Sequence, residues 1–305
     1  MCSTYNLRVT KLSSIQPPEI LIQHASFIEN AMEGAIIAMN LPKNLEYATR
    51  YAVLNGGKRV RPALTLLCTE AVGGNKEEAI NAAIAVEFIH CFSLVHDDLP
   101  AIDDDSLRRG KPTLHVETNE AMAILTGDNL LALAFLQVAI SPIKDVQKTE
   151  LTMALASATK DMVGGQIYDS LGELPQDLSP IESVELVHRN KTGALIRSAC
   201  KLGAICGNAD EKQLDAITDF GDAIGLMFQI VDDFIDLESS SEHAGKTTGK
   251  DLETGKLTYP SAIGIEASKK AIESLKNRAN ESIDILGSRG ESLRSINLWL
   301  AHRTK

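Results

Sequence analysis

From Glu19 onward the chain repeats apolar residues at three- and four-residue spacing, as in Leu21, Ile22, Phe27, Ile28 and Met32, and again in Ala85, Phe88, Ile89, Phe92 and Val95. That period predicts amphipathic helices with one face turned inward. Alanine and leucine are abundant and favour the same state. Alternating runs that would announce strands are missing, although Asn55-Gly56 marks one turn. Three polar stretches break the periodicity and are expected to be loops between helices: Leu107 to Thr113, with Gly110 and Pro112; Gly172 to Pro180, with a proline at 175 and another at its end; and the Ser-, Thr- and Gly-rich stretch Glu238 to Gly249. None has the length of a domain linker. The first eighteen residues are polar and end in Pro17-Pro18, so the expected organisation is a flexible leader at 1–18 and one large all-α domain at 19–305.

Composition sharpens this picture. With 44% hydrophobic residues in 305, the chain can enclose a sizeable core. A net charge of -11 argues against a general nucleic-acid binder, whose phosphate contacts need a basic face, and gives no attraction to anionic membranes. The five cysteines (Cys2, Cys68, Cys91, Cys200 and Cys206) form no CxxC pair and fit a reducing compartment, so a soluble cytoplasmic protein is expected. The N-terminus has no apolar core of a secretory signal. The best candidate for a membrane span, Leu130 to Ile143, is too short and is interrupted by Gln137, Ser141 and Pro142, which makes it a buried helix.

Two acidic clusters carry the candidate chemistry. The first is His96-Asp97-Asp98-Leu99-Pro100-Ala101-Ile102-Asp103-Asp104-Asp105 and the second is Gln229-Ile230-Val231-Asp232-Asp233-Phe234-Ile235-Asp236. Both follow strongly apolar helical stretches, where a solvated acidic face is not expected. Asp232, Asp233 and Asp236 share one helix face by their i,i+3 and i,i+4 spacing. Carboxylates that close repel unless cations lie between them. Oxygen donors without nearby His or Cys suit Mg²⁺ or Mn²⁺ and not zinc. In the first cluster spacing alone would pair Asp97 with Asp104, Pro100 disturbs the turn, and geometry leaves the choice among Asp103, Asp104 and Asp105 open.

The cations of this acidic chain gather beside those clusters. Gly56-Gly57-Lys58-Arg59-Val60-Arg61-Pro62 places three behind a glycine pair, Arg108-Arg109-Gly110-Lys111 follows the first cluster, and Lys246, Lys250 and Lys256 follow the second. Lys191-Thr192 stands after His188 and Arg189. Arginine forks and lysine charges bind phosphate oxygens. Carboxylates beside cations imply a polyanionic, metal-bridged substrate such as a diphosphate. No GxxxxGK[ST], GxSxG or HExxH motif is present.

In order, GGKRVRP, HDDLPAIDDDSLRRGKPT, GGQIYD, HRNKTGALIR, FQIVDDFID and GKTTGKDLETGKLTYP resemble the short-chain trans-prenyl diphosphate synthases, the farnesyl and geranylgeranyl diphosphate synthases, from about Ala52 to the C-terminus. The resemblance implies the isoprenoid synthase fold: a bundle of ten or more helices around a deep apolar cavity, with both acidic clusters at its mouth. It implies a prenyltransferase that condenses isopentenyl diphosphate with dimethylallyl or geranyl diphosphate, with three Mg²⁺ ions held by Asp97, Asp98, Asp103, Asp232, Asp233 and Asp236. Asp97, Asp103, Lys191 and Asp232 would carry the catalysis. Lys58, Arg61, His90 and Arg109 would bind isopentenyl diphosphate, and Arg108, Lys191, Thr192, Gln229, Lys246 and Lys256 the allylic diphosphate. Gln166 and Asp169 would line the cavity. A homodimer is expected, with helices near 85–140 supplying the surface.

Product length is expected to turn on Phe92 and Ser93. Ser93, four residues before Asp97, shares its helix face, whereas Phe92 lies about 140° away. In the resembling family both positions face the growing chain. An aromatic at Phe92 resembles bacterial farnesyl synthases, so a C15 product is expected, with C20 as the alternative. A class I terpene cyclase would need more aromatic rings around its cations than the 4% present here. An inactive partner subunit would have lost the aspartates that this chain retains.

Overall fold

The computed structural model describes residues 15–243 and 257–304, with backbone alone at 238–243. Its helices run α1 (Glu19–Ala38), α2 (Lys43–Leu54), α3 (Val60–Ala71), α4 (Lys76–Asp97), α5 (Leu114–Glu117), α6 (Glu120–Ala139) and α7 (Asp145–Ser170). They continue with α8 (Pro180–His188), a π-helical turn (Arg189–Gly193), α9 (Ala194–Cys206), α10 (Glu211–His243), α11 (Tyr259–Ile263), α12 (Ile265–Ser282), a 3-10 segment (Asp284–Gly290) and α13 (Glu291–His302). Residues 1–14 of the expected leader lie outside this description.

Local chemistry sets the helix starts. Asn75 and Asn119 cap α4 and α6 by accepting from Glu77 and Met122 backbone N–H groups at 3.3 and 2.9 Å. Ser179 and Glu182 form a capping box ahead of α8, with Pro180 at its first position. The helices pack around α4, which touches α3, α6 and α9. Every residue from Ala82 to Ile89 is buried, so α4 has no solvent face over more than two turns. By length and composition α4 and α6 could each cross a membrane, but 67% of the apolar window of α4 lies inside the bundle, as a core helix requires. That window in α6 is only 44% buried, and Ile124, Leu125, Leu136 and Ile140 remain exposed.

Two expectations change. Leu107 to Thr113 contains a small hairpin, Leu107–Arg108 against Lys111–Pro112. Arg109 (φ 54°) and Gly110 (φ 77°) both take left-handed conformations at its tip, the geometry that matches a two-residue hairpin. And α10 continues through His243 into the stretch expected to be a loop, because no proline or glycine intervenes before Gly245. The loop at Gly172 to Pro180 is present, between α7 and α8.

Candidate active site

A cavity of about 470 Å³ opens between α4 and α7. Its apolar wall includes Phe92, Leu94, Met162, Val163 and Ile167, and its polar end carries Asp97, Lys191, Thr192, Arg61 and His90. An apolar chamber with charges gathered at one end is shaped for an amphiphile with an anionic head. Both Phe92 and Ser93 line it, so α4 turns the two adjacent positions to the same space.

Asp97 ends α4, and the six-residue step to Asp103 is closed by backbone: Asp103 N–H donates to Asp97 C=O at 2.9 Å and Ile102 N–H to Leu99 C=O at 2.9 Å. This turn returns Asp103 to Asp97, while Asp104 sits at the bend with φ 52° and Asp105 faces Arg108 at 3.6 Å. A turn that no helical repeat predicts thus brings the Asp103 backbone, rather than that of Asp104 or Asp105, back to Asp97. Burial pushes the Asp97 carboxyl up to about 6, Lys191 opposes that, and Asp103 adds to it. Ser170 donates to Asp103 at 3.3 Å and receives a hydrogen bond from Gln166 at 2.9 Å.

Asp98 departs from the expectation of a metal ligand. It is 3% exposed and is absent from the wall of the main cavity. Arg108 Nε reaches both of its oxygens, at 2.7 and 2.9 Å, and Nη2 lies 2.5 Å from Oδ1. Helix termination turns Asp98 inward, where an arginine fork satisfies the buried carboxylate. Burial works against the charge of Arg108, but its bonds to Asp98 prevail and hold it above its ordinary value.

The three cations of Lys58-Arg59-Val60-Arg61 separate. Arg59 takes a left-handed conformation (φ 52°), and its side chain is fully buried on Glu87 (2.8 Å) and the Val53 carbonyl (2.7 Å). Lys58 is exposed and lies 6.0 Å from the Trp299 ring centre. Arg61 lines the cavity, and its Nε has no hydrogen-bond partner among the described residues. Burial pulls Arg61 below its ordinary value, as it does Lys58, where Arg303 adds to the effect. His90 is driven well below its usual value by burial and by Arg61, Arg109 and Arg108, so it is a neutral imidazole. Arg109 donates to Gly56 C=O and covers Gly57, where a Cβ would stand 2.7 Å from Nη1.

Lys191 is presented by the π-helical turn, a local widening common at functional sites. At Gly165 a Cβ would stand 2.6 Å from Lys191 Cα, so only glycine lets α7 approach this turn. Lys191 Nζ lies 2.5 Å from Asp169 Oδ2. Gln229 is half-buried on α10.

The second cluster is engaged by groups that spacing did not reveal. Arg303 Nη1 lies 2.7 Å from Asp232 Oδ1, Nη2 donates to Phe228 C=O at 2.7 Å, and the guanidinium stacks 3.8 Å over the Phe228 ring. Asp233 Oδ2 accepts from Tyr259 N–H at 2.8 Å and lies 3.6 Å from His188 Nε2. Tyr259 donates its phenol to Glu185 at 2.6 Å. Asp236 is exposed one turn on. Lys246 and Lys256 lie outside the described residues. Arg303, the residue that follows α13, carried no motif of its own; Tyr259 stood inside the GKLTYP segment without an assigned role.

Hard oxygen donors and a half-buried, destabilised carboxylate at Asp97 fit a divalent cation. Among the described residues no three such groups converge on one point by themselves. Magnesium bound together with a phosphate needs only one or two protein carboxylates, the rest of its shell being substrate and water oxygens.

A family model described as Polyprenyl synthetase matches residues 42–287. "Geranylgeranyl pyrophosphate synthase 4" of Arabidopsis thaliana is 45% identical over 266 residues, 86% of this chain and 71% of that protein. "Heterodimeric geranylgeranyl pyrophosphate synthase large subunit 1, chloroplastic" of the same organism is 40% identical, over 91% of this chain and 76% of that one. Among solved structures, an FPP/GFPP synthase from Zymomonas mobilis in its apo form superposes with a TM-score of 0.80 at 33% identity, covering 92% of this chain and 97% of that one.

Proposed function

The chain belongs to the polyprenyl synthetase family, and from that premise we propose that this all-α prenyltransferase extends allylic diphosphates with isopentenyl diphosphate to a C20 product. The observation behind the reaction is the apolar cavity of about 470 Å³ with Asp97, Lys191 and Arg61 at its polar end. The support for C20 is the 45% identity to a relative named for geranylgeranyl diphosphate, which outweighs the C15 expectation from one aromatic side chain. Phe92 on the cavity wall keeps C15 as the second reading.

Asp97 and Asp103, together with Asp232 and Asp236 of the second cluster, would hold magnesium, whose charge would neutralise the departing diphosphate. Lys191, Thr192, Gln229, Lys246 and Lys256 orient the allylic diphosphate, and Arg61, Lys58, His90 and Arg109 hold isopentenyl diphosphate beside it. Arg108 acts through Asp98, and Asp233 anchors Tyr259. The carbon–oxygen bond of the allylic partner breaks, the double bond of isopentenyl diphosphate attacks the resulting cation, and a proton leaves to the departing diphosphate. The cavity wall excludes water from the cation. Residues 19–305 act as one unit. Its buried free thiols at Cys68, Cys91, Cys200 and Cys206 suit a reducing compartment.

Purified protein given labelled isopentenyl diphosphate, geranyl diphosphate and Mg²⁺ is expected to release labelled C20 prenyl diphosphate. Dominant C15 product would select the second reading, and no prenyl product would remove both. Phe92→Ala is expected to lengthen the dominant product by a C5 unit.

The exposed apolar residues of α6 (Ile124, Leu125 and Leu136), with Ile140 just past its end, form the proposed face for a second copy of the chain. Light scattering is expected to give twice the chain mass, and Leu125→Lys with Leu136→Lys to give the monomer; a monomeric parent would refute this assignment.

A further inference from the structure

His96 stands one helical turn after Phe92, on the same face of α4. Both rings line the cavity. They meet edge to face, with centres 5.0 Å apart and planes at 76°. The far edge of the imidazole reaches α6, where Nε2 lies 3.1 Å from the Ile124 carbonyl oxygen. Directly behind it is Gly127, buried within α6. A Cβ at that position would stand 2.9 Å from His96 Cε1 and closer still to Cδ2 and Nε2. The imidazole therefore sits in a notch that exists only because residue 127 has no side chain.

We propose, on the prenyltransferase reading above, that Gly127 and His96 are specificity-determining residues for product length, the notch at Gly127 seating the imidazole that fixes Phe92 against the tail cavity. A methyl group at 127 would lie well inside van der Waals range, so the ring must retreat by roughly an ångström or more. Rooted on α4 and blocked at α6, it retreats toward Phe92 and the cavity. The wall then advances by about the size of a methylene group, a difference that hydrophobic pockets discriminate by roughly tenfold. Removing the imidazole does the reverse, because Phe92 loses the ring that backs it. Alanine is the better helix former, so a change at 127 carries no backbone penalty within α6.

The test compares the ratio of longer to shorter prenyl products at equal conversion, from the same primer and isopentenyl diphosphate, in the Mg²⁺-supplied enzyme. Gly127→Ala is expected to lower that ratio about tenfold, and His96→Ala to raise it. The double variant should follow His96→Ala, since the added methyl then has room. A melting temperature shifted without any change in ratio would reduce the contact to packing and overturn the proposal, as would a double variant that stays as short as Gly127→Ala. If Gly127→Ala alone does not fold, the His96→Ala and double-variant ratios decide in the same way. A parent enzyme that makes no prenyl product would fail the prenyltransferase reading itself; a productive parent with unmoved ratios in both single variants would fail this inference alone.

Discussion

Asp97→Asn is expected to lower turnover about 10³-fold while raising the melting temperature of the metal-free protein. The two effects have one origin. Asp97 lies at the polar end of the cavity, and burial together with Asp103 pushes its carboxyl up to about 6, against an ordinary value of 3.8. The folded chain thus holds the Asp97 proton more tightly than the unfolded chain does. The stability tied to that proton is fully present below about pH 4 and is lost as pH rises to about 6 and beyond. At neutral pH the ionised carboxylate costs on the order of 2 kcal/mol, allowing for its remaining contact with water. Asparagine removes that cost, worth a few degrees in a chain of this size. It also removes a negative charge for binding metal and diphosphate, and several kcal/mol of transition-state stabilisation go with it. Scanning calorimetry in EDTA at pH 4 and pH 7.5, beside a turnover assay, checks both halves. The gain in melting temperature should appear at pH 7.5 and vanish at pH 4. Near-normal turnover in the variant would remove Asp97 from the chemistry, and an unchanged melting temperature would remove the electrostatic account.

Arg59→Met is expected to cost about 3–5 kcal/mol, a large part of the stability of an ordinary domain. The Arg59 side chain is fully enclosed and Glu87 is 3% exposed, so methionine would leave a carboxylate buried without its partner. Glu29, 45% exposed and 3.2 Å from Arg59 Nε, keeps its hydration and adds little. The double variant Arg59→Met, Glu87→Leu should recover most of the loss, since replacing a buried pair by apolar groups is often neutral or stabilising. Denaturant titration of the three proteins gives the comparison. By contrast Lys58→Ala, at an exposed position next door, should leave the midpoint almost unchanged and raise KM for isopentenyl diphosphate. A single variant at residue 59 as stable as the parent would contradict the buried pair.

These two cases mark how far the linear chain could be read. The helical period, the two aspartate clusters and the cations beside them are local or repeating signals, and the ordered motifs were enough for the fold and the reaction class. The split of Lys58-Arg59-Val60-Arg61 into exposed, internal and cavity-lining cations was not legible, because a left-handed residue at the start of α3 decides which way each side chain turns. The contribution of Arg303 was equally hidden. It reaches Asp232 only because α13 packs beside α10.

Short-range physics, then, was written in the order of residues: helix-forming segments, their buried faces, and carboxylates gathered in two clusters. Direction and partnership came from the folded chain alone. Asp97 and Asp98 are neighbours with the same side chain, yet one faces the cavity and the other is closed inward on Arg108. Successive helical positions diverge by about 100°, and what each then meets is set by elements far away in the chain.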